Sequence, residues 1–431
     1  SGFQKIFDFS SITGVSPRGK LTYSNGYFWG TCSGGGASSE GTIFRISPDG
    51  SLFQIVHDFD PLLEGESPEI GLLEFQGKLY GATYDGGSLG GGSIFSIDTN
   101  GTNFQVVHDL DASIDGTNIS TSLLEVNGKI WGSTFIQGMS GEGAIFNSSN
   151  NGTVFNHVSD HNGTGISGGN LAFSNGKIWG VSLLGGTGSG SVWSIDTNST
   201  NLMEKFALNS IVGSNPFGGL NAYDNSIYGT ASSGTLSGDG SVYKIMPADS
   251  TIQALINFTP INGSNLRPDL DIIGNKIFGA AGSGGYFDEG VIFSLDTSGS
   301  QLSPVFVFNG ANGSSPSSRF VEINGTLYGS SVDGGTYDLG TLFSVDTNGQ
   351  NFNTIHVFND TMGAYPNSGL NLINGKFWGG TAVGGSFGMG LIYKVDINGS
   401  NFTVVKNLDF NDGIEINSNL IEHNGIVYGV A

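Results

Sequence analysis

An all-β fold of many short antiparallel strands is predicted by three observations on this 431-residue sequence. Glycine accounts for 73 residues, a poor composition for helices because each interior glycine costs roughly 1 kcal/mol against alanine. Aromatic and β-branched residues are plentiful, with 30 phenylalanines, which excludes a disordered chain. The third observation is self-similarity. "NGKIWG" stands at residues 127–132 and again at 175–180, and "NGKFWG" follows at 374–379.

The glycine that closes this motif recurs at Gly30, Gly81, Gly132, Gly180, Gly229, Gly279, Gly329, Gly379 and Gly429, at intervals of 48 to 51 residues. An aromatic residue precedes it each time: Trp29, Tyr80, Trp131, Trp179, Tyr228, Phe278, Tyr328, Trp378 and Tyr428. Each unit opens with a short apolar strand, Leu72 to Phe75 in the second unit. A two-residue turn follows, Gln76-Gly77 there and Asn-Gly in six other units, the preferred type I′ hairpin connection because both residues need positive φ. The second strand ends on the aromatic and the marker glycine. A glycine-rich loop leads to the third strand, "GSIFSID" from Gly92, and "DTNG" turns the chain into the fourth, "FQVVHDL".

Four short strands in about 50 residues is the arithmetic of a β-propeller blade. Complete blades are expected at about 20–60, 71–111, 122–160, 170–208, 219–259, 269–309, 319–359 and 369–410, as one domain over 1–431. The termini add a fourth-type strand, Phe3 to Phe9, and first- and second-type strands in 419–430. A ninth blade shared by the termini, lacking its third strand, is therefore expected, with eight blades as the alternative. The aromatic before the marker glycine is expected to pack between blades.

The pattern "LYG…GG…GTIF.I…G…VH.F" resembles the Gloeo-Verruco (GloVer) tandem repeat of bacterial secreted proteins over essentially the whole chain, and its strand order is loosely similar to a kelch blade. That resemblance implies an exported or surface-anchored β-propeller.

Composition narrows the function. A net charge of −22 and a pI near 4.3 argue against a nucleic-acid partner, which needs clustered Lys and Arg. No apolar run reaches the roughly 18 residues of a membrane span. With Cys32 alone, an internal disulfide or thiolate cluster is excluded. No nucleophile elbow, zincin motif or P-loop lysine is present, so no catalytic residue is assigned.

The turns between strands one and two and between three and four are tight and share one end of the blades. Longer loops at the other end are where binding is expected. Eight residues after the marker glycine stand Phe287, Tyr337 and Phe387, with Tyr286 beside the first, where other units carry Ser38, Leu89, Ser140, Gly188 and Ser237. Such rings present a rigid apolar face on which a sugar can stack. The alternative is that they fill space between loops. Glu40, Glu142, Asp239 and Glu289 precede the third strand, and Asp85, Asp288, Asp333 and Asp338 lie in the same loops. They read as solvated acids; no cofactor is expected, and calcium, which takes six to eight oxygens, has no specific motif here. Glu74, Glu125, Glu322 and Glu422 share a place near the end of strand one, suggesting an acidic channel mouth as a weaker reading. His57, His108 and His356 are repeat-equivalent and read as structural. Asn100, Asn118, Asn162, Asn262 and Asn401 are among the candidate glycosylation sites.

The sequence thus leads to an extracellular or cell-surface propeller, a non-catalytic binding module for a glycan or an extracellular protein. One alternative is a structural subunit whose last blade a partner strand completes. Another is a carbohydrate-active enzyme, on analogy of fold alone.

Overall fold

A computed structural model describes residues 4–119, 122–139, 141, 143–149, 152–160, 170–183, 189–198, 203–216, 218–234, 237–267, 269–317, 319–366, 369–409 and 420–429. The fold is all-β, a β-propeller of eight four-stranded antiparallel blades, and among the described residues no helix is long and apolar enough to cross a membrane. The chain divides into two compact units. Residues 6–208 hold blade 1 (22–58), blade 2 (73–111), blade 3 (124–160) and blade 4 (172–207). Residues 209–431, with 1–5, hold blade 5 (221–257), blade 6 (271–307), blade 7 (321–357) and blade 8 (371–407). In blades 1, 6 and 7 a short preceding strand, Val15–Pro17, Ser264–Leu266 or Ser314–Pro316, pairs with the far end of strand two.

The hairpin chemistry accounts for the first two strands. Asn25, Gln76, Asn127, Asn175, Asn324, Asn374 and Asn424 all sit near φ 50°, and the glycine after each is also positive, as a type I′ turn requires. The lysine of "NGK" has a structural duty. Lys78 Nζ donates to Asp98 at 2.6 Å, and Lys177 and Lys376 pair likewise with Asp196 and Asp396. Strand two is thereby tied to the turn that ends strand three.

The marker glycine is required by a close approach rather than by its φ. A Cβ on Gly30 would lie 2.5 Å from Phe44 Cζ, and one on Gly279 would lie 2.5 Å from Phe293 Cζ. The same approach recurs under Phe95, Phe146, Trp193, Tyr243, Phe343 and Tyr393. In every blade the ring of strand three closely approaches the bare backbone of strand two. One residue ahead of that ring, all eight blades shift register against strand four, between Ile43 and Phe44 in blade 1 and between Ile292 and Phe293 in blade 6. Such a bulge bends the strand and re-aims the side chains beside it.

In blades 1, 2, 3, 5, 6 and 7 the aromatic before the marker glycine packs with the following blade. Trp29 packs on Leu79 and Phe95 of blade 2, Tyr80 on Ile130 and Phe146 of blade 3, and Phe278 on Leu327 and Phe343 of blade 7. Next to it, four rings close the outer part of a junction. Between blades 1 and 2 these are His57, Phe59, Phe95 and Phe104; between 6 and 7, Phe306, Phe308, Phe343 and Phe352; between 7 and 8, His356, Phe358, Tyr393 and Phe402. The tightest stacked pair of each cluster is His57–Phe104 at 3.4 Å, Phe306–Phe352 at 3.5 Å and His356–Phe402 at 3.6 Å.

The termini differ from the expected closing blade. Residues 4–9 form no strand, and Phe3 lies outside the described residues. Their rings nevertheless take fourth-strand seats: Phe7 stacks on Phe53 at 3.3 Å, and Phe9 meets Phe44 edge-on at 4.9 Å, as His57 and Phe59 do on blade 2. At the other end Ile421–His423 and Ile426–Tyr428 form a two-stranded hairpin.

The glycine seat yields a direct test. Gly279→Ala pushes a methyl into Phe293 and also within 3.0 Å of Leu270, and is expected to cost about 1–3 kcal/mol in urea unfolding. Adding Phe293→Leu to that variant should make the alanine cheaper than in the parent. Additive costs in the double mutant would show that the ring and the glycine are not coupled.

Candidate functional site: the long-loop end

The loops between strands two and three fold on one plan. In "GGYFDEG" a β-turn runs from Gly285 to Asp288, whose N–H donates to Gly285 O at 3.3 Å, while Asp288 takes φ 62°. The Asp288 carboxylate accepts the Gly284 N–H at 2.8 Å, and Gly290 N–H closes the loop on Gly284 O at 3.0 Å. Gly335–Asp338 and Gly385–Gly388 repeat the turn, with closing bonds of 3.2 and 3.3 Å. The loop is also tied to the linker before its blade: Gly285 N–H donates to Pro260 O at 2.8 Å, and Gly335 N–H to Gly310 O at 2.7 Å. The ring-bearing residue is the third of each turn and points outward. Tyr286 is 86% exposed, Phe287 53%, Tyr337 59% and Phe387 59%.

The loops do not need these rings. The same i to i+3 bond closes Gly36–Ser39, Gly87–Gly90 and Gly138–Gly141, where the third residue is Ser38, Leu89 or Ser140, the last outside the described residues. Gly188 also lies outside them. Tyr286 and Phe287 meet edge-to-face at 4.9 Å, so blade 6 presents two rings at right angles, and blades 7 and 8 one each.

Acceptors surround the rings. Burial raises the carboxyl pKa of Asp333, helped by the charge of Asp338. In the other unit the linker supplies an acid with no counterpart in the sequence reading. Glu66 is raised by burial, by the charges of Glu40 and Asp85, and by a hydrogen bond shared with Glu40. Glu40 and Asp85 were expected to be separate solvated acids; their blades bring them to a common neighbour. Glu142 lies outside the described residues, as do Asn162 and the loop around it.

Three of the four strand-one glutamates are engaged with their own hairpin turns. Glu125 Oε1 accepts the Gly128 N–H at 2.7 Å and Glu322 Oε1 the Gly325 N–H at 2.6 Å, and Glu422 does the same for Gly425. They cap their own hairpin turns.

The equivalent histidines are structural in distinct ways. His57 bonds Glu64 at 2.7 Å, while burial against Phe402 pushes His356 down to about 4. His108 Nε2 lies 3.2 Å from buried Asp115, and a histidine outside the repeat pattern, His157, reaches the other oxygen at 3.3 Å. Burial opposes the Asp115 charge, but the hydrogen bonds from His108 and His157 outweigh it and hold the carboxyl well below its usual range. Asp115 in turn raises His157. Among the described residues, no three His, Cys, Asp or Glu side chains are gathered to hold a metal. Cys32 is buried, its thiol pushed up to about 12.

The described sequon asparagines are built into turns. Asn100 Oδ1 accepts from Thr102 N–H at 2.9 Å, and Asn262 Oδ1 from Thr259 N–H at 2.7 Å. Asn401 Nδ2 donates to Asp396 at 2.6 Å, and Asn118 holds φ 63°.

A family model described as the Gloeobacter/Verrucomicrobia repeat matches residues 1–167, 126–274 and 270–431, and the chain belongs to that family. No curated protein matches the chain. Among solved structures, a nidogen/laminin complex is similar at 17% identity and a TM-score of 0.32, over 55% of this chain and 78% of that one. A puromycin-hydrolyzing peptidase of Mycobacterium tuberculosis aligns at 11% identity and a TM-score of 0.42, over 89% of this chain and 58% of the peptidase. A prolyl endopeptidase aligns at 9% and 0.43, over 88% of this chain and 54% of that one.

The Glu66 cluster sets a pH dependence. Glu66 binds its proton more tightly folded than unfolded, so stability is lost as pH rises past the ordinary carboxyl value. Glu66→Gln should therefore raise the thermal midpoint at pH 7 and leave it nearly unchanged near pH ~3, well under the free Glu pKa of ~4.3. An equal shift at both pH values would show that charge is not the cause.

Proposed function

We propose that this propeller is a non-catalytic binding module, exported or displayed at a cell surface, that recognises a glycan through the long-loop end of blades 6 to 8. The observation that carries the reading is the set of four outward rings, Tyr286, Phe287, Tyr337 and Phe387, on turns that fold equally well with serine or leucine. Exposed rings on a rigid turn lose little entropy on binding, and their flat faces suit the C–H faces of sugars. Carboxylates beside them, Asp333 and Asp338 among others, can accept from sugar hydroxyls. Export is the expectation from the family resemblance and is supported by the acidic, cysteine-poor composition.

The purified chain should be screened on a glycan array with and without calcium. A defined sugar is expected to bind, and Phe387→Ala or Tyr337→Ala should each weaken it by about 0.5–1.5 kcal/mol, roughly two- to tenfold. Both side chains are exposed, so the unfolding midpoint should not move. Binding retained in Tyr337→Ala/Phe387→Ala would remove the rings from the site. A blank array would turn the search to an extracellular protein partner for the same face.

A further inference from the structure

We propose that the junction between blades 5 and 6 holds a second binding site, for a small uncharged ring, in a cavity left where the four-ring cluster lacks its stacked pair. The register of the repeat identifies what is missing. At this junction the edge-on pair survives as Phe258 and Phe293, 4.8 Å apart. The seats filled elsewhere by His57 and Phe104, by Phe306 and Phe352, or by His356 and Phe402 are taken here by Ile256 and Leu302. Two aliphatic side chains replace two planar rings. A cavity of about 210 Å³ opens beside Leu302.

Its walls are those of a ring seat. Phe293, Leu302, Pro304 and Val307 line it, with Ile261 and Tyr286 at the rim. In the complete junctions the fourth-strand ring lies 5.4 to 5.8 Å from the third-strand ring, Tyr393–Phe402 and Phe343–Phe352 being the extremes. Phe293 lies at the floor of the cavity, itself nearly covered, with Leu302 where that neighbour would be. Apolar cavities of about 150 Å³ stay dry and take up benzene, because no lining group holds water. The lining contains no charged side chain, and Asn262 is its one amide. Asn262 Oδ1 is already engaged by Thr259. The ligand class is therefore an aromatic or alicyclic ring with at most one polar substituent. It enters past Tyr286 and Ile261, which are 86% and 82% exposed.

Indole and toluene are the probes, titrated against the full chain by ligand-observed NMR and by thermal shift. Saturable binding with a raised midpoint is expected. Leu302→Phe restores the ring found at Phe352, and should cut indole binding at least tenfold while raising the midpoint of the free protein. Glycan binding should be unaffected, which separates this site from the loop-end rings. Magnetisation transfer from bound indole to the Leu302 and Val307 methyls, read on the unmodified protein, tests the location even if the variant folds poorly. Absence of saturable binding, transfer to other methyls only, or full indole binding in folded Leu302→Phe would each overturn the proposal.

Discussion

The contact on which each blade depends is a ring lying on a glycine. Strands two and three pair at the marker position, Gly279 opposite Phe293 for example, and the missing Cβ lets the ring settle onto the strand itself. Any methyl there would meet ring carbons inside van der Waals distance. The seat accepts phenylalanine in blades 1, 2, 3, 6 and 7, tryptophan in blade 4 and tyrosine in blades 5 and 8. What it does not tolerate is a substituent beneath. The same ring also meets the preceding blade, where Phe59, Phe308 and Phe358 reach its equivalents edge-on and Phe258 reaches Phe293 at a tilt. Intrablade and interblade packing thus meet at the same ring. A fault at the glycine would be felt in two blades.

Much of this was legible because the period exposes it. The glycine, the preceding aromatic and the Asn-Gly turn recur at fixed places, and each proved to be a backbone or packing requirement. Local capping was legible in the spacing as well: glutamate three residues before the turn glycine, as in Glu125 and Gly128, is placed to accept its N–H. The terminal segment shows the limit of pattern reading. Residues 3–9 were read as a fourth-type strand; Phe7 and Phe9 do take the ring seats of one, but ring seats do not require ladder hydrogen bonds, and the backbone of residues 4–9 makes no strand.

What the repeat could not reveal lies in the segments that do not repeat. Glu66 sits in a linker whose other copies place Val15, Thr117, Ser214, Ser264, Ser314 or Ala364 at that point, so no periodic signal marked it. Its partners Glu40 and Asp85 come from two blades, and their approach exists only after the blades pack. His157 escaped notice for a related reason. The repeat-equivalent histidines stand opposite the residue before the bulge, His108 opposite Ile94, whereas His157 stands opposite Phe146, past it. Only the folded linker, by placing Asp115 between the two strands, joins His108 to His157.

Eight copies of one unit in a single chain also separate what the scaffold needs from what it permits. The glycine seat and the hairpin turn recur because each answers a steric or backbone demand present in nearly every blade, while the lysine–aspartate tie is made in blades 2, 4 and 8. Around the third residue of the long-loop turn the same closing bond recurs in five loops where that residue is described, while the side chain varies from Ser38 to Leu89 to Phe287. Packing makes no demand at that point, since the side chain points to solvent. Consecutive rings there, in blades 6, 7 and 8, place a large apolar cost on the surface with no structural return. The converse holds at Leu302. Packing does make a demand there, met by a ring at Phe104, Phe352 and Phe402, and this blade leaves it partly unmet. Rings where the scaffold asks for none and a cavity where it asks for a ring lie on the same unit, and Tyr286 borders both.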